Sequence, residues 1–226
     1  MRQHVRPRSL AENDPIVFTG VGDPVGTGVV PSLSHPRGNN SRDGVEGKAR
    51  LEILKGIDPN TAPVAVLWND TNPGMALRAC EAQSSSDKLG LNLESIGVHD
   101  LISFDAAFAK INSSQFNALL TLVDPFTHEH RQRIIDFAAK RLLPAMYESR
   151  EFVHGGGLAS YGPNLPALQR RAADCISMIF KSSKPGDIPV EPPTKFELII
   201  NLKTARTLDL TIPPTVLERA DQLVDN

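Results

Sequence analysis

Small polar side chains gather where the chain's apolar runs stop. Asn69, Asp70, Thr71 and Asn72 follow the run Val64 to Trp68, Asp124 follows Ala118 to Val123, and Glu148 follows Pro144 to Tyr147. Asp23 lies in a Gly-rich stretch after Ile16-Val17-Phe18. Carboxylates and side-chain amides accept from an ammonium, and amides donate to a carboxylate. Trp68, Tyr147 and Tyr161 can add a ring face or a hydroxyl. This is chemistry for holding a small polar molecule, not for transforming it. The same residue types also form turns and cap helices. Their reading as a site depends on their lining one rim. The candidate ligand-binding residues are therefore Asp23, Trp68, Asn69, Asn72, Asp124, Tyr147 and Tyr161.

Other chemistries find less support. Gly20-Val21-Gly22-Asp23-Pro24-Val25-Gly26 has the look of a dinucleotide loop, but its third glycine is one position late and Pro24 interrupts it. A plain glycine turn is the better reading. His128 and His130 stand two apart and so do not share a helix face, and no third ligand is near. They read as solvated residues of a helix's first turn. No nucleophile elbow, catalytic triad or carboxylate pair is visible. No catalytic residue, metal or cofactor is expected. Cys80 and Cys175 each sit in an apolar helical pattern and read as buried free thiols.

Composition narrows the field further. A net charge of -2 and 5% aromatics argue against a nucleic-acid partner. No apolar run approaches membrane-spanning length, so no direct membrane insertion is expected. The basic start, Met1 to Arg8, has no apolar core behind it, so it is no secretion signal. Taken literally, such a chain stays in the cytoplasm.

These residues need elements to position them. From Lys48 the chain alternates helices and strands: apolar runs at 64–68, 91–98, 118–123 and 144–147, helices at about 75–89, around Phe104, Phe108 and Ile111, and at about 129–140. That rhythm predicts a parallel α/β sheet covered on both faces, with right-handed crossovers. In such sheets ligands lie outside the carboxyl ends of the strands. A helix over 165–181, a Pro-rich extended segment at 184–193 and a strand at 196–201 follow. Residues 35–47 and 155–163 read as crossovers, the second with a short strand at 158–161, 1–14 as disordered and 27–33 as a weak helix.

Four segments carry a resemblance. They are Pro15 to Phe18 with Gly22 to Gly28, Val64 to Asn69 with Asn72-Pro73, Arg150 to Val153 with Gly157 to Asn164, and the stretch from Pro192 to Pro214. As a series they resemble the substrate-binding proteins of ABC transporters related to the tryptophan/tyrosine-binding lipoproteins. The resemblance covers nearly everything after residue 14. It implies a type I periplasmic-binding fold: two parallel-sheet α/β lobes, hinge crossovers, and an amino-acid-like ligand in the cleft between them. It also implies ABC permease subunits as partners and a periplasmic location. By this likeness Asp23, Asn69, Asn72, Asp124, Tyr147 and Tyr161 fall near the cleft.

There are departures. Pro36-Arg37-Gly38-Asn39-Asn40-Ser41-Arg42 stands where the family reads Pro-Gly-Gly-Asn-x-Thr-Gly. The family's leader and opening strand-helix units have no counterpart. The expected layout is then a partial first lobe, residues 15–44 and 158–226, and a second α/β lobe, residues 45–157. A binding protein is the leading expectation. The alternatives are a truncated remnant that does not bind, and an unrelated cytoplasmic α/β enzyme.

Overall fold

The structure is a computed structural model, and it describes residues 17, 43–183, 188, 191 and 193–225. Apart from Val17, the expected strand at 16–18, the glycine loop with Asp23, the helix at 27–33, most of the first crossover and most of the Pro-rich segment lie outside the described residues. The chain divides into two compact units, one of residues 42–163 with 196–226 and one of residues 1–41 with 164–195.

The larger unit is built on seven strands: β1 (Val64–Asn69), β2 (Leu93–Val98), β3 (Ala118–Thr121), β4 (Ala145–Tyr147), β5 (Ala159–Pro163), β6 (Phe196–Asn201) and β7 (Gln222–Val224). Their order in the sheet is β2-β1-β3-β4-β5-β6-β7. All pairs are parallel except β5 with β6, which run antiparallel from Ala159↔Ile200 to Pro163↔Phe196. Val64 to Leu67 is a continuous apolar run because both faces of β1 are covered. Val64 and Val66 join one core with Leu51 and Leu54 of α1 (Asp43–Ile57), Met75 of α2 (Pro73–Leu89), Ala205 of α8 (Leu202–Thr207) and Val216 of α9 (Pro214–Leu217). Ala65 and Leu67 join the opposite core with Phe104 of α3 (Leu101–Ser113), Ile134 and Ile135 of α5 (Arg131–Lys140), and Phe152 of α6 (Arg150–His154). A one-residue turn of register would exchange the two cores.

Between β3 and α5 lies a single helical turn, α4 (Pro125–Glu129). The described part of the smaller unit is chiefly α7 (Leu165–Phe180), capped by Asn164, whose side chain accepts from the Ala167 N–H at 2.9 Å.

Four details differ from expectation. Residues 196–226 fall in the unit of 42–163, because β6 hydrogen-bonds to β5 and β7 to β6. Helix α1 already begins at Asp43, inside the expected crossover. Cys80 is exposed and Cys175 half-buried, so the apolar rhythm around them overstated their burial; both are free thiols. His128 and His130 are half-buried, and the His130 ring packs edge-on against Phe104 and Phe126 at 5.5 and 4.8 Å. An imidazole edge meets an aromatic face favourably there. No helix among the described residues is long and apolar enough to cross a membrane.

Candidate functional site

Three of the expected residues meet at the carboxyl ends of β1 and β3. Asn69 closes β1 and is 8% exposed. Its carbonyl-side oxygen accepts from the Thr71 N–H at 3.1 Å and the Thr71 hydroxyl at 2.8 Å, a local turn that ends the strand. Asn72 caps α2, with its side chain accepting from the Gly74 N–H at 3.1 Å and Pro73 at the helix start. Asp124 caps α4 through a reciprocal pair with Thr127: Thr127 N–H to Asp124 Oδ1 at 3.0 Å, Asp124 N–H to Thr127 Oγ1 at 2.9 Å. The free ends of both asparagines then turn to one atom. Asn69 Nδ2 donates to Asp124 Oδ2 at 2.7 Å and Asn72 Nδ2 donates to it at 3.1 Å.

Asp124 is thus 8% exposed and hydrogen-bonded on both oxygens by neutral groups. It has no ion-pair partner among the described residues. A cation brought beside a carboxylate at such a place would interact with it more strongly than in water.

A second carboxylate lies beside it. Glu148, next after β4, is 7% exposed. Its Oε2 accepts from the Val123 N–H at 2.8 Å, one residue before Asp124. Its Oε1 lies 2.8 Å from Arg50 Nη1 and also binds Arg78 Nη2. Burial alone would raise the Glu148 pKa, but the charges of Arg50 and Arg78 and the Val123 amide outweigh it and hold the carboxyl below its ordinary value. Arg50, 2% exposed, also reaches Glu46 Oε2 at 3.2 Å and donates from Nε to the Tyr161 carbonyl at 2.8 Å.

The aromatic candidates are placed elsewhere. Trp68 packs on the α1/α2 core, and its indole N–H donates to Ser95 Oγ at 2.6 Å. Ser95 lies two residues toward the amino end of β2 from Gly97, the register partner of Trp68. Tyr147 is fully buried, stacked on Phe152 at 4.6 Å, and its hydroxyl has no hydrogen-bond partner among the described residues. Burial pushes that hydroxyl well above the ordinary phenol value. Tyr161 is half-buried and stacked on Phe196 at 6.0 Å. Asp23 is outside the described residues.

The structure therefore brings together Asn69, Asn72 and Asp124, and adds Arg50, Arg78 and Glu148. Arg50 was legible as an anomaly, since it shares a helix stripe with Leu54 and Ile57. Among the described residues no cluster of three or more His, Cys, Asp or Glu side chains is arranged to hold a metal ion.

Comparison with known proteins places the chain among similar sequences and folds. The family model described as "ABC transporter substrate binding protein" matches residues 8–224. A "Tyrosine-binding protein" of Clostridioides difficile (strain R20291) is 24% identical over 198 residues, which are 87% of this chain and 57% of that protein. The chain thus spans little more than half the length of this curated relative. A solved structure described as an ABC domain in complex with L-Trp, from Streptococcus pneumonia, superposes with a TM-score of 0.85 at 23% identity, over 96% of this chain and 74% of the other. A conserved domain protein from Vibrio cholerae O1 biovar eltor superposes with a TM-score of 0.81 at 25% identity, over 92% and 71% of the two chains. The fold is type I periplasmic-binding-like, with a mostly parallel sheet covered by helices.

Proposed function

The chain belongs to the ABC transporter substrate-binding protein family, and on that premise we propose that it holds an amino-acid-like solute at the carboxyl-end rim of its sheet, without chemistry. The observation that carries the reading is the convergence of Asn69 and Asn72 on Asp124. Their amides orient a buried carboxylate whose charge has no cation beside it among the described residues. A ligand ammonium supplies that cation. The similar proteins described as binding tyrosine or holding L-Trp point to the same solute class. An ABC permease as partner, and work outside the cytoplasmic membrane, follow from the family and belong to the proposal.

The test is a thermal melt of the full chain with increasing L-tyrosine, L-tryptophan and a panel of other amino acids. Binding to the folded state raises Tm with ligand concentration, by an amount worth about 2.7 kcal/mol at a hundredfold excess over Kd. Asp124→Asn removes the charge from a near-isosteric side chain and should weaken binding at least about tenfold, the scale of one charged hydrogen bond. A melt that no amino acid moves, together with no heat in titration calorimetry, would sink the reading.

A further inference from the structure

Arg50 is the largest fully buried side chain among the described residues, and it sits in α1 next to Leu51 and one turn before Leu54, both in the apolar core. A guanidinium in such a place has to be held by acceptors on several sides. It finds them on β5, in the loop after β4, and one turn back on α1 itself. Nε donates to the Tyr161 carbonyl on β5 at 2.8 Å, Nη1 lies 2.8 Å from Glu148 Oε1, and Nη2 lies 3.2 Å from Glu46 Oε2. Glu148 passes the connection on, because its other oxygen takes the Val123 N–H at 2.8 Å.

We propose that Arg50 is a positioning residue: through Glu148 it locks the loop that carries Asp124 to strand β5. The chain of contacts is continuous, from Tyr161 through the Arg50 fork and the Glu148 carboxylate to Val123, and Asp124 is the next residue. Neither Arg50 nor Glu148 needs to touch the ligand. A buried ion network often stabilises a fold no better than apolar side chains of the same volume, so the contribution proposed for this one is to geometry. A planar fork with several fixed N–H directions suits this, and an ammonium does not replace it. The backbone shows the same tightness. A Cβ on Gly162, beside Tyr161, would collide with the Glu148 carbonyl oxygen. β5 also ends at Pro163, where the chain passes from the larger unit to the smaller. The lock thus joins the ligand rim to the strand through which the chain leaves the unit.

The consequence for binding rests on the function proposed above; the lock itself does not. The experiment is residue-resolved amide hydrogen exchange on the full chain without ligand, wild type against Arg50→Lys. The Val123 amide should exchange at least about tenfold faster, the scale of one lost charged hydrogen bond. Amides of the β1–β2 ladder should keep their rates. Unchanged protection at Val123, or equal acceleration in β1 and β2, overturns the lock. If Arg50→Lys does not fold, Arg50→Met, which keeps Glu148 as the acceptor of the Val123 N–H and the partner of Arg78, is read the same way.

The second arm titrates L-tryptophan and L-tyrosine into the same proteins. A variant with a loosened Val123 should bind at least about tenfold more weakly. Wild-type affinity in such a variant overturns the positioning role. A wild-type protein that binds neither amino acid refutes the proposed function, while the exchange result still decides whether Arg50 locks the loop.

Discussion

Two buried oxygen groups at the end of one strand, β4, are treated in opposite ways. Glu148 is surrounded by Arg50, Arg78 and the Val123 amide, whereas the Tyr147 hydroxyl, one residue earlier, meets no partner among the described residues. A buried polar group without a partner costs about 1–3 kcal/mol. Tyr147→Phe keeps the ring stacked on Phe152 and removes only that oxygen. The variant should match or exceed the wild type in stability, by up to about 1 kcal/mol in urea unfolding. A loss of 2 kcal/mol or more (roughly the value of a satisfied buried hydroxyl) would mean that the oxygen is bonded after all. The sequence showed Tyr147 only as an aromatic residue at a strand end. Whether its ring faces a ligand or the core depends on Phe152, which arrives from the following helix turn.

At the scale of elements, polar caps connect strand ends to helix starts. Asn72, Asp124 and Asn201 each accept from a backbone N–H in the first turn of α2, α4 and α8. Asn201 is fully buried, and its Nδ2 also donates to the Val153 carbonyl at 3.4 Å. Asn201→Ala should lower stability by about 1–2 kcal/mol through the lost cap, measured as a shift of the urea midpoint at constant slope. No shift would show that α8 is held by packing alone. The long helices and the strands up to β6 were legible from apolar runs and periodicity, with β1 and β6 coinciding with the expected segments, whereas the short β7 was not. The antiparallel return of β6 was not legible. Its pattern, Phe196 to Asn201, fits either direction, and only pairing with β5 across a long connection decides it. Likewise the Asn69–Asp124–Asn72 cluster joins residues 52 and 55 positions apart, so local spacing showed the types but not the meeting. The inward fork of Arg50 left one trace, a cation on an apolar stripe.

For the whole molecule, the Glu148 network links stability to pH. Its folded pKa is depressed, so its stabilisation is full above the unfolded glutamate value of about 4.3 and is lost as pH falls from there through the folded value. Glu151 is shifted in the same direction: burial would raise it, but the Ser149 side-chain hydrogen bond and nearby charges prevail. Denaturant unfolding between pH 7 and pH 3 should show stability falling steeply below about pH 4.3. Glu148→Gln should be less stable at pH 7 by about 3 kcal/mol, because two arginines lose their shared carboxylate, yet should lose less on acidification. Equal acid slopes in the two proteins would remove Glu148 from the account of acid unfolding.

The antiparallel pairing of β5 and β6 has a further bearing on how such a chain can be cut and rejoined. Pro163 and Phe196 are register partners, and the Asn164 N–H reaches the Lys195 carbonyl at 2.9 Å, so the excursion 164–195 leaves and returns across one rung of a hairpin. Geometrically it is an insert at a loop tip, the place where foreign sequence is best tolerated. A two-residue Asn-Gly turn can bridge such a rung. Residues 43–163 joined this way to 196–225 should keep the seven-stranded sheet and melt cooperatively, a modular body from which a lobe has been lifted out. A chain without cooperative melting would show instead that the excursion is structural mortar rather than cargo.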